Sequence, residues 1–527
     1  MLLRLVCRSA RMIGGPNCGH PLWLAGVSGP PSGEGGDCNR LRSGAAGEAV
    51  CAAICQGRSA MKDYGRENLC YDPIHGYMPF VAAAGLPDDE VSEEQIVDHP
   101  WVQRLRQIHQ LQTAWWVFPT AEHTRFQHVL GAMHLASRAA EALYESLQSV
   151  CPDVPSRGYV ETLLRMAALL HDVGHGPFGH FFDDHFLARF ELTHETLGCE
   201  ILRRELAPLL TLVRRNPGSE LGADERLDAE QICALIKRPR GDDAAELPRW
   251  LVLLRSLFSG LYTVDNMDYV LRDAYMSGFS SSAFDLERLL HYSFFTESGL
   301  TIHERGLSAL VRFLEVRAEL FRTLYFHREV RSIDLTLADL FAKSGNLLFD
   351  GNPLEHLDAY QRFTEWTLLN DVATWTESDD PARRALGGEW QAFLRRKLPW
   401  RMVCERTRFF RPGEAEQTTI FASEARFLQA LAEQLPESLD DTSLLRVDLP
   451  RHIHRPGTRG PAGGQNFLYE AARGHVRALT DSEVFRQLPL SYRLCRVYTR
   501  ADGHEATIAA AVDELIRPER ADDITNM

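Results

Sequence analysis

No hydrophobic run in this 527-residue chain approaches the roughly 20 apolar residues that a bilayer-crossing helix needs. The opening Met1-Leu2-Leu3-Arg4-Leu5-Val6-Cys7 is broken by arginine before it can form a signal-peptide core, so a cytoplasmic protein without membrane partners is expected. Positive charge is also scarce. With 57 Lys and Arg against 72 Asp and Glu the net charge is −15, which argues against a nucleic-acid surface. A polyanionic substrate would have to be met by local positive charge and not by the field of the whole protein. The eleven cysteines contain no C-x-x-C pair and no regular framework, which speaks against a disulfide scaffold and for reduced thiols. Cys51 and Cys55 have no second pair with which to close a metal site. The glycine-rich stretch Pro456–Gly464 lacks the lysine and serine of a phosphate-binding loop and reads as a surface loop.

What remains is ordinary globular sequence, 45% hydrophobic and 24% charged, long enough for more than one domain. Residues 1–60 are rich in Gly, Ser, Pro and Cys without periodicity and predict a disordered extension. Residues 61–385 make the expected catalytic core, in which the patterns from Val91 to about Tyr360 are mostly helical. Glu161–Leu170, Pro248–Met276 and Leu307–Phe341 carry apolar residues at three and four spacing, and Pro239–Asp243 reads as an exposed connection. From 386 to 527 the texture changes. Trp400–Arg406, Leu444–Leu449 and Tyr492–Tyr498 alternate like strands, with helical patterns at Ser423–Gln434 and Asp481–Gln487. The predicted fold is mainly α: an all-helical catalytic core with a smaller α+β C-terminal lobe.

Chemistry concentrates in His171-Asp172-Val173-Gly174-His175-Gly176-Pro177-Phe178-Gly179-His180, entered from the apolar run Met166–Leu170. Imidazole and carboxylate together suit a divalent ion, and the surrounding glycines and proline fit a helix end where backbone approaches a ligand. One His-Asp pair cannot close a coordination sphere. Further ligands are offered by His123-Thr124-Arg125-Phe126-Gln127-His128 upstream and by Asp265-Asn266-Met267-Asp268-Tyr269-Val270-Leu271-Arg272-Asp273 downstream.

The set H-T-R-F-x-H, H-D-V-G-H-G-P-F-G-H and D-x-x-D-Y-x-x-R-D resembles the HD-domain metal-dependent phosphohydrolases. Within them it is most similar to the deoxynucleoside triphosphate triphosphohydrolase branch, over about Asp72 to Leu340. The resemblance implies one divalent metal ion, with Mn, Mg, Fe and Zn not distinguished, held by His128, His171, Asp172 and Asp265. It implies His175 as acid or base near the scissile phosphate, His194 as its partner, and His180 and Asp183 as surrounding polar groups. Arg125 matches a phosphate contact and Arg317 a phosphate-binding arginine. Tyr325 matches the tyrosine that shuts out a ribose 2′-hydroxyl, Tyr269 and Asp273 match positions that lie against phosphate and sugar, and Gln110 and Leu111 match positions that meet the sugar. Trp115-Trp116, beside the bend at Pro119, reads as core.

Two departures bear on substrate. The lysine that follows the last metal aspartate in the resembled branch is Asn266 here, and a glutamine is replaced by Phe326. Neither replacement can make the same charged or hydrogen-bonded contact with a nucleotide. Asp98, Gln103 and Arg106 match guanine-reading positions of an activator site whose lysine is Asn68 here, while Asp98 also reads as a cap for the helix near Pro100. The function implied is hydrolysis of a deoxynucleoside triphosphate to deoxynucleoside and triphosphate by a homo-oligomer, with a nucleotide activator as a hypothesis. The rivals are hydrolysis of another phosphorylated nucleotide or nucleoside analogue, and a non-catalytic nucleotide-binding regulator.

Overall fold

A computed structural model describes residues 67–239, 247–410, 419–436, 439, 441–453, 466–483 and 491–516, all within the compact unit Asp63–Met527. The predicted extension 1–60, the loop 456–464, residues 240–243 and the end of the 481–487 pattern lie outside the described residues. Cys51 and Cys55 lie outside them too. Among the described residues all six cysteines are free, and no helix is long and apolar enough to cross a membrane.

The centre of the molecule is a helix pair. Helix α1 (Arg125–Val150) starts at a capping box in which Gln127 Oε1 accepts the Thr124 amide at 2.6 Å. Helix α2 (Arg157–Leu170) is capped by Ser156 and is buried at every residue from Gly158 to Leu170. A helix apolar on nearly all sides must run through the core, so α2 cannot lie at the surface. The cation within its buried stretch, Arg165, is satisfied inside the core by a bidentate pair with Glu93, both contacts 2.6 Å. Leu163, Leu164, Leu169 and Leu170 are fully buried, and truncating one to alanine should cost about 2–5 kcal/mol.

Beyond α2 the chain turns sharply at Phe178 and Gly179, both at positive φ (64° and 58°). It then forms the short helix α3 (His180–His185) and helix α4 (His194–Ile201). The sequence predicts one helix over Pro248–Met276, but the structure breaks it. Arg249–Leu254 runs into a 3-10 turn, and α5 (Val264–Met276) restarts at a Thr263/Asn266 capping box. The predicted helix Leu307–Phe341 is likewise split. Helix α6 (Leu307–Leu320) widens into a π turn at Phe321–Tyr325, and α7 (Arg328–Ser344) begins anew with His327 Nδ1 accepting the Glu329 amide. Local capping wins over apolar periodicity in both places.

Two hairpins interrupt the helical part. Strands β1 (Glu67–Asp72) and β2 (Gly76–Val81) pair with each other. Strands β3 (Ser293–Thr296) and β4 (Gly299–His303) join the C-terminal strands β8 (Asn466–Glu470) and β9 (His475–Ala478), with β4 and β8 parallel. In the C-terminal region β10 (Ser491–Thr499) is the central strand, with β5 (Arg401–Phe410) on one edge and β6 (Leu445–Asp448) and β7 (Arg451–Ile453) on the other. Helices Glu424–Ala432 and Glu505–Ile516 cover this sheet through Phe427, Leu431, Ile508 and Val512, all fully buried. The predicted mainly α fold with a smaller α+β lobe is therefore what forms, but the core predicted as all-helical carries two hairpins. Trp116 packs on Phe393 at 4.7 Å against the core, whereas Trp115 is half-buried, stacks on His109 at 4.5 Å and donates to Glu365, so the predicted core role holds for Trp116 alone.

Candidate metal centre and adjoining imidazole cluster

The end of α2 delivers His171 and Asp172, the first turn of α1 delivers His128, and the first turn of α5 delivers Asp265. His128 Nε2 lies 3.4 Å from His171 Nε2 and 3.1 Å from Asp265 Oδ1. His171 Nε2 lies 3.7 Å from Asp265 Oδ1 and 3.3 Å from Asp172 Oδ1. Atoms each about 2.1 Å from a shared cation sit about 3.0–3.7 Å apart at coordination angles of roughly 90–125°, so His128, His171 and Asp265 are spaced for one ion, with Asp172 Oδ1 beside His171. Both rings are fixed from behind. His128 Nδ1 meets Asp268 Oδ2 at 2.8 Å, and His171 Nδ1 meets the Ala168 carbonyl at 2.8 Å. Each Nε2 is thereby presented to the same point, the arrangement in which histidines serve as metal ligands.

The electrostatics of the bare site describe the same preference for positive charge. Burial alone would push the His128 imidazole down, but the hydrogen bonds and charge of Asp265 and Asp268 outweigh it and hold its pKa at about 10. His171 is raised against its own burial, chiefly by the charge of Asp172. Burial would raise Asp265, yet its two histidine partners hold it well below the usual carboxylate range. Asp172 is likewise held low by His171 and Arg125 despite burial.

A second cluster adjoins the first through Asp172, whose Oδ1 is 3.4 Å from His175 Nε2. The His175 ring stacks on His194 with centroids 3.8 Å apart and planes 13° from parallel. His194 Nδ1 is tightly hydrogen-bonded to Asp183 Oδ2, and His180 Nδ1 lies 3.5 Å from the same oxygen. His175 is fully buried and neither of its ring nitrogens has a hydrogen-bond partner. Burial, with the charges of Arg125 and His194, holds its pKa well below the ordinary imidazole value. The stack depends on Gly174, where any Cβ would collide with the His194 carbonyl oxygen and the Gly198 nitrogen. That is the physical reason for glycine inside the His171–His180 segment.

Beside these clusters opens a cleft of about 260 Å³ lined by Gln110, Leu111, Arg125, His180, Tyr269, Asp273, Tyr325 and Phe326 among others. Arg125 donates from a terminal nitrogen to Asp172 Oδ2 at 2.7 Å, so it bridges the cleft and the His171–Asp172 pair. Asp273 accepts from His123 Nε2 at 2.8 Å and from the Tyr325 hydroxyl. Arg317 stands behind the cleft wall, its Nε donating to the Tyr269 hydroxyl at 2.9 Å. Gln110 Oε1 is buried with no partner.

The two departures separate in space: Phe326 lines the cleft, whereas Asn266 is turned into its own helix cap. Arg106 Nε donates to Gln103 Oε1 at 2.8 Å, and Asn68 sits on β1 opposite Phe80. The cap at Pro100 is His99, whose Nδ1 accepts the Trp101 amide. Asp98 instead ends the preceding helix Glu93–Val97, because the helix starts one residue later than the Asx pattern suggests. Sequence reasoning gave no individual role to Asp72, His75, His123, Asp268 or Arg272, although the last three stand inside its quoted motifs. The available signal was the i,i+4 spacing of Asp268 and Arg272 inside the D-x-x-D-Y-x-x-R-D stretch.

Residues 125–239 match the HD domain family. The chain is 28% identical over 405 residues to the uncharacterized protein YwfO of Bacillus subtilis, covering 74% of this chain and 82% of that one. It is 31% identical over 474 residues to the deoxynucleoside triphosphate triphosphohydrolase SAMHD1 of Bos taurus, covering 83% of this chain and 76% of the relative. With the Gallus gallus protein of the same name it shares 28% over 330 residues, a match that spans 50% of the relative's length. A crystal structure of a hypothetical protein from Aquifex aeolicus has the same fold, with a TM-score of 0.61, 22% identity, and coverage of 85% of this chain and 100% of that one. Motif, geometry and relatives agree: the chain is an enzyme of the HD-domain phosphohydrolase family, in its deoxynucleoside triphosphate triphosphohydrolase branch.

Proposed function

We propose that the protein hydrolyses deoxynucleoside triphosphates to deoxynucleoside and triphosphate, using one divalent cation held by His128, His171, Asp172 and Asp265. The observation that carries this reading is Asp172, which sits within 3.3 Å of a metal-site nitrogen and 3.4 Å of the His175 ring. A phosphorus next to the cation would therefore also be next to a proton carrier. When bound, the ion supplies charge neutralisation and a more acidic water. Arg125, anchored on Asp172, adds a second positive charge beside the phosphate oxygens.

Water adds to the α-phosphorus as hydroxide, and its proton passes to the imidazole cluster. The bond from phosphorus to the 5′-oxygen breaks, and that oxygen takes a proton from the same cluster. His175, buried and neutral, stands nearest the phosphate, with the His194–Asp183 pair behind it and His180 at the rim. Gln110 and Leu111 meet the sugar. Tyr325, held by Asp273, occupies the place a 2′-hydroxyl would need, while Tyr269 and Arg317 form the wall behind the phosphates. Nucleotide activation through Asp98, Gln103 and Arg106, and assembly into a homo-oligomer, belong to the same reading.

The test is product analysis with deoxynucleoside and ribonucleoside triphosphates in the presence of Mn, Mg, Fe, Co or Zn. Inorganic tripolyphosphate from the deoxy series alone is the expected product. Orthophosphate or pyrophosphate would place the broken bond elsewhere and favour another phosphorylated nucleotide, a reading that Phe326 in the cleft supports. No turnover with any ion would leave a nucleotide-binding regulator.

A further inference from the structure

We infer that Asp268, clamped by the turn of the β1–β2 hairpin, is a positioning residue for the metal centre: it holds the His128 ring so that Nε2 faces the cation. The inference rests on the metal-site reading above. Asp268 is completely buried, and the proposed ligand it hydrogen-bonds is His128. Its Oδ2 meets His128 Nδ1 at 2.8 Å and accepts from Arg272 Nε at 2.9 Å. Its Oδ1 accepts from another Arg272 nitrogen at 2.9 Å and meets His75 Nε2 at 2.7 Å. Both lone-pair faces of the carboxylate are thus occupied, and it has no freedom to rotate away from His128.

The clamp continues outwards. Arg272 also donates to Asp72 Oδ2 at 2.7 Å, and Asp72 Oδ1 accepts the backbone amides of Ile74 and His75 at 2.8 and 3.0 Å. Asp72 therefore shapes the hairpin turn with one oxygen and reaches the network with the other. His75, whose side chain is 1% exposed, comes from that same turn. Residues almost 200 positions apart in the chain thus fix one metal-ligand ring. The space for the network is prepared on α1. At Gly131, one turn after His128, a Cβ would collide with Asp268 Oδ1 and Arg272. Only glycine lets the carboxylate approach the ligand helix this closely.

A buried ion network could equally serve folding alone, so the test must read something that stability does not move. Mn2+ affinity is measured by calorimetry and the Co2+ visible spectrum is recorded for wild type, D268N and H75Q, alongside the melting temperature of the metal-free proteins. Losing such an outer partner weakens metal affinity by roughly 10–100-fold, which is the effect expected for D268N, with a smaller loss for H75Q and a shifted Co2+ spectrum in both. A lowered metal-free melting temperature with Mn2+ affinity within about twofold of wild type and an unchanged Co2+ spectrum would overturn the inference. Should D268N fail to fold, H75Q decides on the same two readouts. A wild-type protein that binds neither Mn2+ nor Co2+ overturns the metal-site reading itself and this inference with it.

Discussion

The two imidazole clusters share Asp172 yet follow opposite plans. In the metal cluster each ring is anchored at Nδ1, by a carboxylate or a carbonyl, and the rings of His128 and His171 cross at 80° so that their Nε2 atoms converge. In the neighbouring cluster His175 and His194 lie nearly parallel, and His175 has no hydrogen-bond partner at either nitrogen. A ring anchored behind and converging in front is shaped to share its lone pair with an ion. A ring with both nitrogens uncommitted can meet an incoming group, while burial and the neighbouring charges that hold its pKa down keep it neutral until then. Side-chain chemistry is the same in both clusters, so the surrounding hydrogen bonds make the difference.

Substitutions should separate the two plans. The largest effect is expected from Asp265→Ala, which removes the carboxylate facing both His128 and His171. Elemental analysis should find the bound metal gone, and hydrolysis should fall below detection. Retention of one metal per chain by this variant would break the comparison. His194→Ala should instead keep the metal and lower the turnover number by on the order of 10²–10⁴, the usual range for a lost proton-transfer group. A parallel loss of metal would show that the second cluster is also a ligand set.

A smaller, graded effect follows from His128, whose pKa stands at about 10 in the metal-free site because Asp265 and Asp268 outweigh its burial. At neutral pH the bare ring carries a proton that the cation must displace. Mn2+ affinity should therefore rise by about tenfold per pH unit on the acidic side of that value, with proton release visible as buffer-dependent binding enthalpy. The sign for folding is the reverse. A folded pKa above the unfolded value of about 6.5 stabilises the metal-free protein fully below 6.5. That contribution fades as pH rises towards 10. A flat pH profile of metal affinity would place no titrating ligand in the site.

The His171–His180 segment shows how much of this can be read in the residues. His-Asp-x-Gly-His reads as a ligand segment whose glycines let backbone approach a ligand, whereas Gly174 instead makes room for the backbone of α4. Strands β5, β6 and β10 are legible because their alternation is local. What was not legible depended on distance in space. Periodicity runs through Pro248–Met276 and Leu307–Phe341 without marking the caps at Thr263 and His327 that cut them. The hairpin β3–β4 hides in the helical part because its short strands are completed by β8, more than 150 residues later. Asp268 and Asp72 read as ordinary acidic residues until the fold brings Arg272 and His75 against them. Reading Asn266 as a lost phosphate contact followed from its sequence position beside Asp265, but the direction of its side chain is set by the helix start.

That helix start supports the smallest predicted effect. Asn266 is 5% exposed. Its Oδ1 accepts the Thr263 amide at 2.6 Å and its Nδ2 donates to the Leu261 carbonyl at 3.2 Å. The residue therefore closes the first turn of α5 and faces away from the cleft. Asn266→Ala should cost about 1 kcal/mol, the usual worth of a cap, seen as a lower melting temperature with an unchanged KM for the nucleotide. Asp265 is its immediate neighbour in the same turn, so a change in metal affinity would have a definite meaning. It would show that the cap sets the angle at which α5 presents its ligand, and that the anchoring logic of the metal cluster extends from imidazole rings to the carboxylate as well.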